Sequence, residues 1–336
     1  MSVKLDDIAR AVGVSTSTVS RALSGKTAAD PALIEQIIAT AEKLGYPLER
    51  YRALQSKSRL IGVVVPNIAS PFFAVLIESI EQAAADHGYN VLLCSSNYDL
   101  ERENEVLEIL ADKNVAGILI APVAMNSTLP ELVLRKKLPV VQVDRHSEEM
   151  QCDLVQTDNY RGAYEAVSLL VRQGYRNIAI ISGPKTHSTG KERLDGYVAA
   201  LRNGEISVRS EYVQTEDFLE QNGYDAVVRL LKLSPRPNAL FVTNVDMTMG
   251  ALRALHDNHI HIPDDMAVVG FDEFPFARIL VPPLTTVEQP IQMLAFTAAD
   301  LLMRRIDQRA PAEPVTIKLS PKFNIRESAQ LALPLG

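Results

Sequence analysis

The sequence predicts an all-α head carrying a helix-turn-helix, joined by a short hinge to an α/β body of two lobes with parallel sheets. Three observations predict it. An i, i+3, i+4, i+7 apolar stripe near the N-terminus is stopped by a glycine; a polar, basic stretch follows near residue 50; and beyond it strand-length apolar runs alternate with helical segments in two cycles. With 336 residues, 47% of them hydrophobic, the chain is long enough for two or three domains with sizeable cores.

In the head, Leu5, Ile8, Ala9 and Val12 share one face of an amphipathic helix, and Gly13 can end it because a glycine turns left-handed without a Cβ penalty. Ser15 is placed to cap a second helix running through Val19 to about Leu23. Two steeply crossing helices need a small residue on the first where they touch and a buried apolar one on the second, and Ala9 and Val19 supply them. A third helix is predicted with Asp30 as cap, Pro31 as first residue, Leu33, Ile34, Ile37, Ile38, Ala41 and Leu44 as its buried face, and Gly45 at its close. In such a unit the second helix lies in the major groove of DNA with its first side chains against base edges, which points to Thr16 and Ser17, with Arg21 one turn later. Four consecutive hydroxyl residues, Ser15 to Thr18, exceed what a cap requires.

The stretch YPLERYRALQSKSR, between two apolar blocks, reads as a linker. Beyond it IGVVVP, YNVLLCSS, AGILIAP and PVVQVD alternate with helices expected at 72–87, 101–113 and about 128–137. A second cycle sets RNIAIISG, EYVQTEDF, ALFVTN and MAVVGFD among helices expected at about 160–173, 193–201, 221–232 and 246–258. Strand-helix-strand units with right-handed crossovers build parallel sheets, and two such sheets place a ligand cleft where the carboxyl ends of their strands face each other. Just beyond those ends lie Phe72 and Phe73, Asp144 and Arg145, Asn244 and Asp272, while Arg193, Phe218 and Gln289 occupy loops and helix starts between them. Carboxylates accept from hydroxyls, arginine and amides donate to ring and hydroxyl oxygens, and phenylalanine covers an apolar sugar face, so the set suits a polyol. Asp246 is expected to cap the helix after ALFVT rather than to meet a ligand.

Residues 1–60 carry nine basic and six acidic side chains, a net +3, so the remainder of a chain of total charge −7 carries −10. A basic head on an acidic body fits a DNA binder, since attraction to phosphates supplies most non-specific affinity. No window approaches roughly 18 uninterrupted apolar residues and the first residues do not resemble a secretion signal, so a cytoplasmic protein with no membrane partner is expected. Cys94 and Cys152 read as packing residues, and His146, His187, His256, His259 and His261 are scattered, so neither a metal nor a cofactor is expected. No GxGxxG follows a strand, and no GxSxG elbow or P-loop lysine occurs, which argues against an enzyme. A transport-type sugar-binding protein would explain the body, but it predicts a secretion signal and no head.

The run LDDIARAVGVSTSTVSRALSG resembles the opening of the lactose, purine and ribose repressor family (LacI/GalR type), in which VSxxTVSRxL opens the recognition helix. In the body, SPFF, VDR, KERLDGY, TEDF, TNVDMTMG, GFDE and TTVEQP match segments that line the cleft in that family and in ribose-type periplasmic binding proteins. The resemblance implies a lambda-repressor-like head on a periplasmic-binding-protein-like body. It implies a homodimeric regulator of transcription, of repressor type, that binds palindromic operator DNA under the control of a sugar or sugar-derived effector held between the lobes. By the same resemblance Thr16 and Ser17 set operator preference, and Lys4, Thr18 and Ser20 contact the DNA backbone or flanking bases. Leu54 and Arg52 fall at the family's leucine and arginine positions, and paired leucines from a dimer wedge into the minor groove. The hinge departs from the pattern in having Tyr46 and Pro47 adjacent and Tyr51 in place of a small alanine. Arg145 stands where the purine repressor has a tryptophan, which favours a sugar over a stacked base, and Ser70 replaces the asparagine often found before PFF. The expected divisions are 1–45 for the head, 46–60 for the hinge and 61–330 for the body. Within the body, one lobe takes about 61–159 and 289–320 and the other about 160–288 and 321–330.

Overall fold

The computed structural model describes residues 3–23, 30–48 and 58–330, and the chain divides into two compact units between Ser58 and Arg59. Among its described residues the first unit holds three helices, α1 (Leu5–Val12), α2 (Thr16–Leu23) and α3 (Pro31–Leu44). Its boundaries follow from local chemistry. Gly13 ends α1 at φ 79°; the Ser15 hydroxyl accepts from the Thr18 N–H at 3.1 Å and so opens α2; the Asp30 carboxylate accepts from the Ala32 N–H at 3.1 Å and opens α3; Gly45 closes α3 at φ 75°.

Ile8, Ala9, Val19, Ala22, Ile37 and Ala41 form the core of this unit. Leu44, expected in that core, is instead exposed. The buried stripe stops at Ala41: the left-handed step at Gly45 folds the chain back, with the Tyr46 N–H on the Ala41 carbonyl, and Leu48 takes the buried place. Arg52 and Leu54 lie outside the described residues.

The second unit contains two six-stranded sheets. The first sheet takes β1 (Leu60–Val65), β2 (Asn90–Ser95), β3 (Ile118–Ile120), β4 (Val140–Val143), β5 (Asp153–Thr157) and β11 (Thr316–Leu319), in the order β11-β5-β4-β3-β1-β2 and parallel throughout. The second takes β6 (Ile178–Ser182), β7 (Val213–Thr215), β8 (Ala239–Val242), β9 (Ala267–Phe271), β10 (Thr285–Glu288) and β12 (Lys322–Asn324), ordered β12-β10-β9-β8-β6-β7, with β12 antiparallel at the edge. Most central strands are buried along their whole length, as strands covered on both faces by helices must be.

Helices α4 (Pro71–Asp86), α5 (Leu100–Asp112), α6 (Glu131–Arg135) and α11 (Ile291–Ile306) belong with the first sheet, and α7 (Asn159–Arg172), α8 (Ser188–Asn203), α9 (Glu220–Leu230) and α10 (Val245–Asp257) with the second. The chain therefore crosses between lobes three times, after β5, after β10 and after β11. Helix α8 starts at Ser188, five residues before the expected start. α9 and α10 meet backbone to backbone through glycines. A Cβ on Gly250 would stand 1.8 Å from the Glu220 carbonyl oxygen, and one on Gly223 2.2 Å from that of Met247. The contact packs α9 tightly on α10, and α10 begins at the cleft, just after Asn244.

Candidate functional site

Both sheets deliver an aspartate by the same device. Asp144 follows β4 and Asp272 follows β9, and each sits in the left-handed region, at φ 70° and 80°. Each still continues the sheet ladder, its N–H donating to Val155 and Val287 carbonyls respectively, both at 2.9 Å. A left-handed aspartate costs energy that the surrounding sheet must hold, and such positions concentrate at functional sites.

The two aspartates face one cavity between the lobes. Phe72, Phe73, Asp144, Arg145, Arg193, Phe218, Asn244, Asp272 and Gln289 all line it, so the structure brings together all nine cleft residues that the sequence singled out. Ser70, Tyr98, Thr189 and Asp246 complete the wall. The remaining void is only about 20 Å³, room for roughly one water molecule. Arg145 is packed into this wall. Its guanidinium lies over the rings of Phe218, Phe73 and Tyr98 at 5.2, 5.6 and 5.9 Å and pairs with Asp144 at 3.3 Å. One terminal nitrogen is buried without a hydrogen-bond partner among the described residues. A buried guanidinium N–H left unpaired is costly, so the cavity is short of an acceptor.

Arg193 is held differently. Its Nε donates to Asn159 Oδ1 at 2.9 Å, a terminal nitrogen donates to the Thr243 carbonyl, and its face covers Phe271 at 3.7 Å. Burial pushes its pKa down against the pull of nearby Asp272. Asp272 is pushed up by burial, opposed by Arg193 and by its two donors, Gln289 Nε2 at 2.7 Å and the Val245 N–H at 3.2 Å. With its NH2 on Asp272, the Gln289 amide turns an unpartnered Oε1 to the interior.

The cap expected at Asp246 falls instead to Asn244, and both residues line the cleft. Asn244 Oδ1 accepts from the Met247 N–H at 3.0 Å and is the cap. Asp246, two residues on, is past the cap position, and its carboxylate accepts from the Ser70 hydroxyl of the opposite lobe at 2.7 Å. Two more bonds close the same seam: Met125 N–H to the Thr186 carbonyl at 2.9 Å, and His146 N–H to the Ser188 hydroxyl at 3.0 Å. Beside them His187 packs edge-on against Phe218, and burial with the nearby Arg145 charge holds its pKa down to about 3. Tyr98, Thr189 and His187 were not singled out as cleft residues. Tyr98 follows β2 as Asp144 follows β4, so the strand-end rule would have found it.

A larger cavity of about 690 Å³ lies on the other side of Asp272 and Gln289. Phe274, Pro275, Pro290, Ile291 and Met293 wall it, and its Glu273 and Arg278 pair with each other at 3.2 Å. The convergence of polar groups belongs to the smaller cavity. Cys94 and Cys152 are free and pack against the first sheet's core.

In the head, Val19 and Ala22 face inward while Thr16, Ser17, Ser20 and Arg21 are exposed on the outer side of α2; Lys4 is exposed and Thr18 half-buried. The hydroxyls form a local web. Ser15 Oγ bonds Ser17 and Thr18 hydroxyls at 2.8 and 2.7 Å, Thr16 donates to Asp6 Oδ1 at 2.9 Å, and Arg21 Nε donates to the Ser17 carbonyl at 3.3 Å.

The description "Bacterial regulatory proteins, lacI family" matches residues 4–47, and "Periplasmic binding proteins and sugar binding domain of LacI family" matches residues 58–327. The chain belongs to the LacI family. This LacI-family chain is 32% identical to the ribose operon repressor of Escherichia coli (strain K12), over 97% of its own length and 99% of the repressor's. It is also 32% identical to the HTH-type transcriptional repressor PurR of Edwardsiella ictaluri, over 96% of each. Among solved structures, the transcriptional regulator CelR–cellobiose complex matches with a TM-score of 0.74 at 30% identity, over 97% of this chain and 99% of that one. The helix-turn-helix head and two-lobed α/β body expected from sequence are those of the family. As a LacI-family member the protein is a DNA-binding transcription regulator controlled by a small effector. Among the described residues no helix is long and apolar enough to cross a membrane.

Proposed function

We propose that this chain is a cytoplasmic, homodimeric repressor whose affinity for a palindromic operator is set by a sugar or sugar derivative bound among Phe72, Phe73, Asp144, Arg145, Arg193, Phe218, Asn244, Asp272 and Gln289. The observation that carries the reading is their convergence on one inter-lobe cavity in which Arg145 keeps a buried donor unpartnered. With so little free volume, an effector has to displace the Arg145 head or part the lobes at the Ser70–Asp246, Met125–Thr186 and His146–Ser188 bonds. That movement is the link between ligand and operator.

On the DNA side, Thr16 spends its proton on Asp6, which leaves lone pairs outward to read an exocyclic amino group, and Ser17 and Arg21 complete the base-reading face. Lys4, Thr18 and Ser20 hold the DNA backbone, and Leu54 supplies the minor-groove wedge. A two-fold pair of heads matches a palindrome. The body face that carries Phe276, Ile279 and Val281, exposed by 60%, 72% and 99%, serves as the dimer contact. The reading includes no catalysis, cofactor or metal.

The test is operator binding by the full chain, measured by fluorescence anisotropy on a palindromic and a scrambled duplex with and without each member of a sugar panel. An effective sugar changes operator affinity by about 5- to 150-fold, the usual range of coupling between two sites. Equal affinity for both duplexes under every condition would refute the proposal.

A further inference from the structure

We infer that the effector is an uncharged polyol, not a sugar acid or sugar phosphate, and that Asp246 is the residue that makes this choice; the inference rests on the effector reading of the cleft. Three carboxylates and two guanidiniums line the cavity. Asp144 is paired with Arg145 at 3.3 Å, and Arg193 lies in the field of Asp272. Asp246 is left over. Its partners are the Ser70 hydroxyl at 2.7 Å and the Asn244 amide at 3.4 Å, both neutral. Burial, the largest influence on it, pushes its carboxyl up, as expected of a charge with no cation beside it.

Arg193 does not offer an anion the two-pronged grip that carboxylates and phosphates take. Arg193 is committed to Asn159 and the Thr243 carbonyl, with one face against Phe271. Arg145 already spends its charge on Asp144 through Nε, and its Nη1 is buried without a partner among the described residues. Such a buried donor suits a hydroxyl or ring oxygen.

Two further orphans stand in the wall: Gln289 Oε1, an acceptor, and the Thr189 hydroxyl, which can accept or donate. A hydroxyl can both accept from Arg145 and donate to Gln289 or Asp246, whereas a carboxylate has no hydrogen to give. An anion would also stand in a small, buried cavity beside an uncompensated carboxylate, where like charges repel more than in water. Because Asp246 bonds Ser70 across the seam, that repulsion acts on the groups that hold the lobes shut.

The experiment is calorimetric titration of the full chain with matched pairs: D-ribose with ribose 5-phosphate, D-xylose with D-xylonate, D-glucose with D-glucuronate, and D-galactose with D-galacturonate. For the pair whose neutral member binds, the charged member is expected to bind about 100-fold more weakly. Asp246→Asn should narrow that gap by about tenfold or more, and Ser70→Ala, which keeps the charge, should leave it in place. A charged member that binds the wild type as tightly as its neutral partner overturns the inference but leaves the effector reading standing. An unchanged gap in Asp246→Asn overturns the role of Asp246. If no member of any pair binds, the effector reading falls and the inference with it. The wild-type titrations decide the ligand class without either variant, and Asp246→Ser replaces Asp246→Asn if the latter does not fold.

Discussion

Replacing Arg193 by methionine keeps most of the side-chain volume and removes the charge, so its effect isolates what the guanidinium holds. The arginine joins α7, through Asn159, to the end of β8, through the Thr243 carbonyl, and neutralises the neighbourhood of Asp272. Hydrogen bonds from a charged donor are worth about 1.5–3 kcal/mol each, and removing one partner of a buried charge pair costs about 3–5 kcal/mol. These contributions overlap because they share one side chain, so the expected loss is about 3–5 kcal/mol. For a unit of this size it lowers the melting temperature by about 6–20 °C, at 2–4 °C per kcal/mol. Differential scanning calorimetry of the ligand-free chain measures it. The double variant Arg193→Met/Asp272→Asn should recover part of the loss, since it no longer strands a buried carboxylate. A fall of less than about 2 °C in the single variant, or a double variant as unstable as the sum of its parts, would show that Arg193 is not holding this corner.

His187, held down to about 3 from 6.5, stays neutral in the folded chain while the unfolded chain takes up a proton, so its contribution is complete above 6.5 and is lost progressively as the pH falls toward 3. His187→Phe should therefore melt with a shallower acid dependence than wild type; parallel melting-temperature curves from neutral to acid buffer would dismiss the effect. Asp246 and Asp272, both pushed up, work in the opposite sense, favouring the folded state as the pH falls through the range just above the ordinary carboxylate value. Gly250→Ala drives a methyl group into the Glu220 carbonyl, so α9 and α10 must separate at a cost of at least about 1–3 kcal/mol; chemical denaturation measures it, and a neutral result would mean the two backbones do not approach this closely. Ser17→Ala should change base preference at one operator position by about 1–3 kcal/mol, whereas Thr18→Ala should weaken all duplexes alike; competition binding against single-base operator variants separates the two, and identical profiles would remove Ser17 from the base-reading face.

Much of this fold is legible in the sequence because its boundaries are made by local chemistry: Gly13 and Gly45 at left-handed positions, Ser15 and Asp30 as caps, and apolar strands too short to be helices. What the sequence hid was buried polarity. β5 and β10 were not anticipated because Gln156, Thr157, Thr285 and Thr286 are buried polar residues, so the runs DLVQT and TTVE carry little apolar signal. The first turn of α8 was missed because Ser188, Thr189 and Gly190 are weak helix formers, yet Gly190 is required where a Cβ would stand 2.4 Å from the Pro184 carbonyl. The cleft residues at strand ends were found as a group since topology alone places them. That the cap is Asn244 and not Asp246 could not be read, because both residue types can cap and Asp246 is engaged by Ser70 of the opposite lobe.

The three passages of the chain between lobes bear on engineering. Neither lobe is a continuous segment: a fragment ending after β5 lacks the β11 edge of its own sheet, and one ending after β10 lacks β12 as well. Neither half can be expressed by truncation with its sheet complete. Transplanting a different effector response onto this head therefore means exchanging the body whole, with the splice near Ser58, where the two units part.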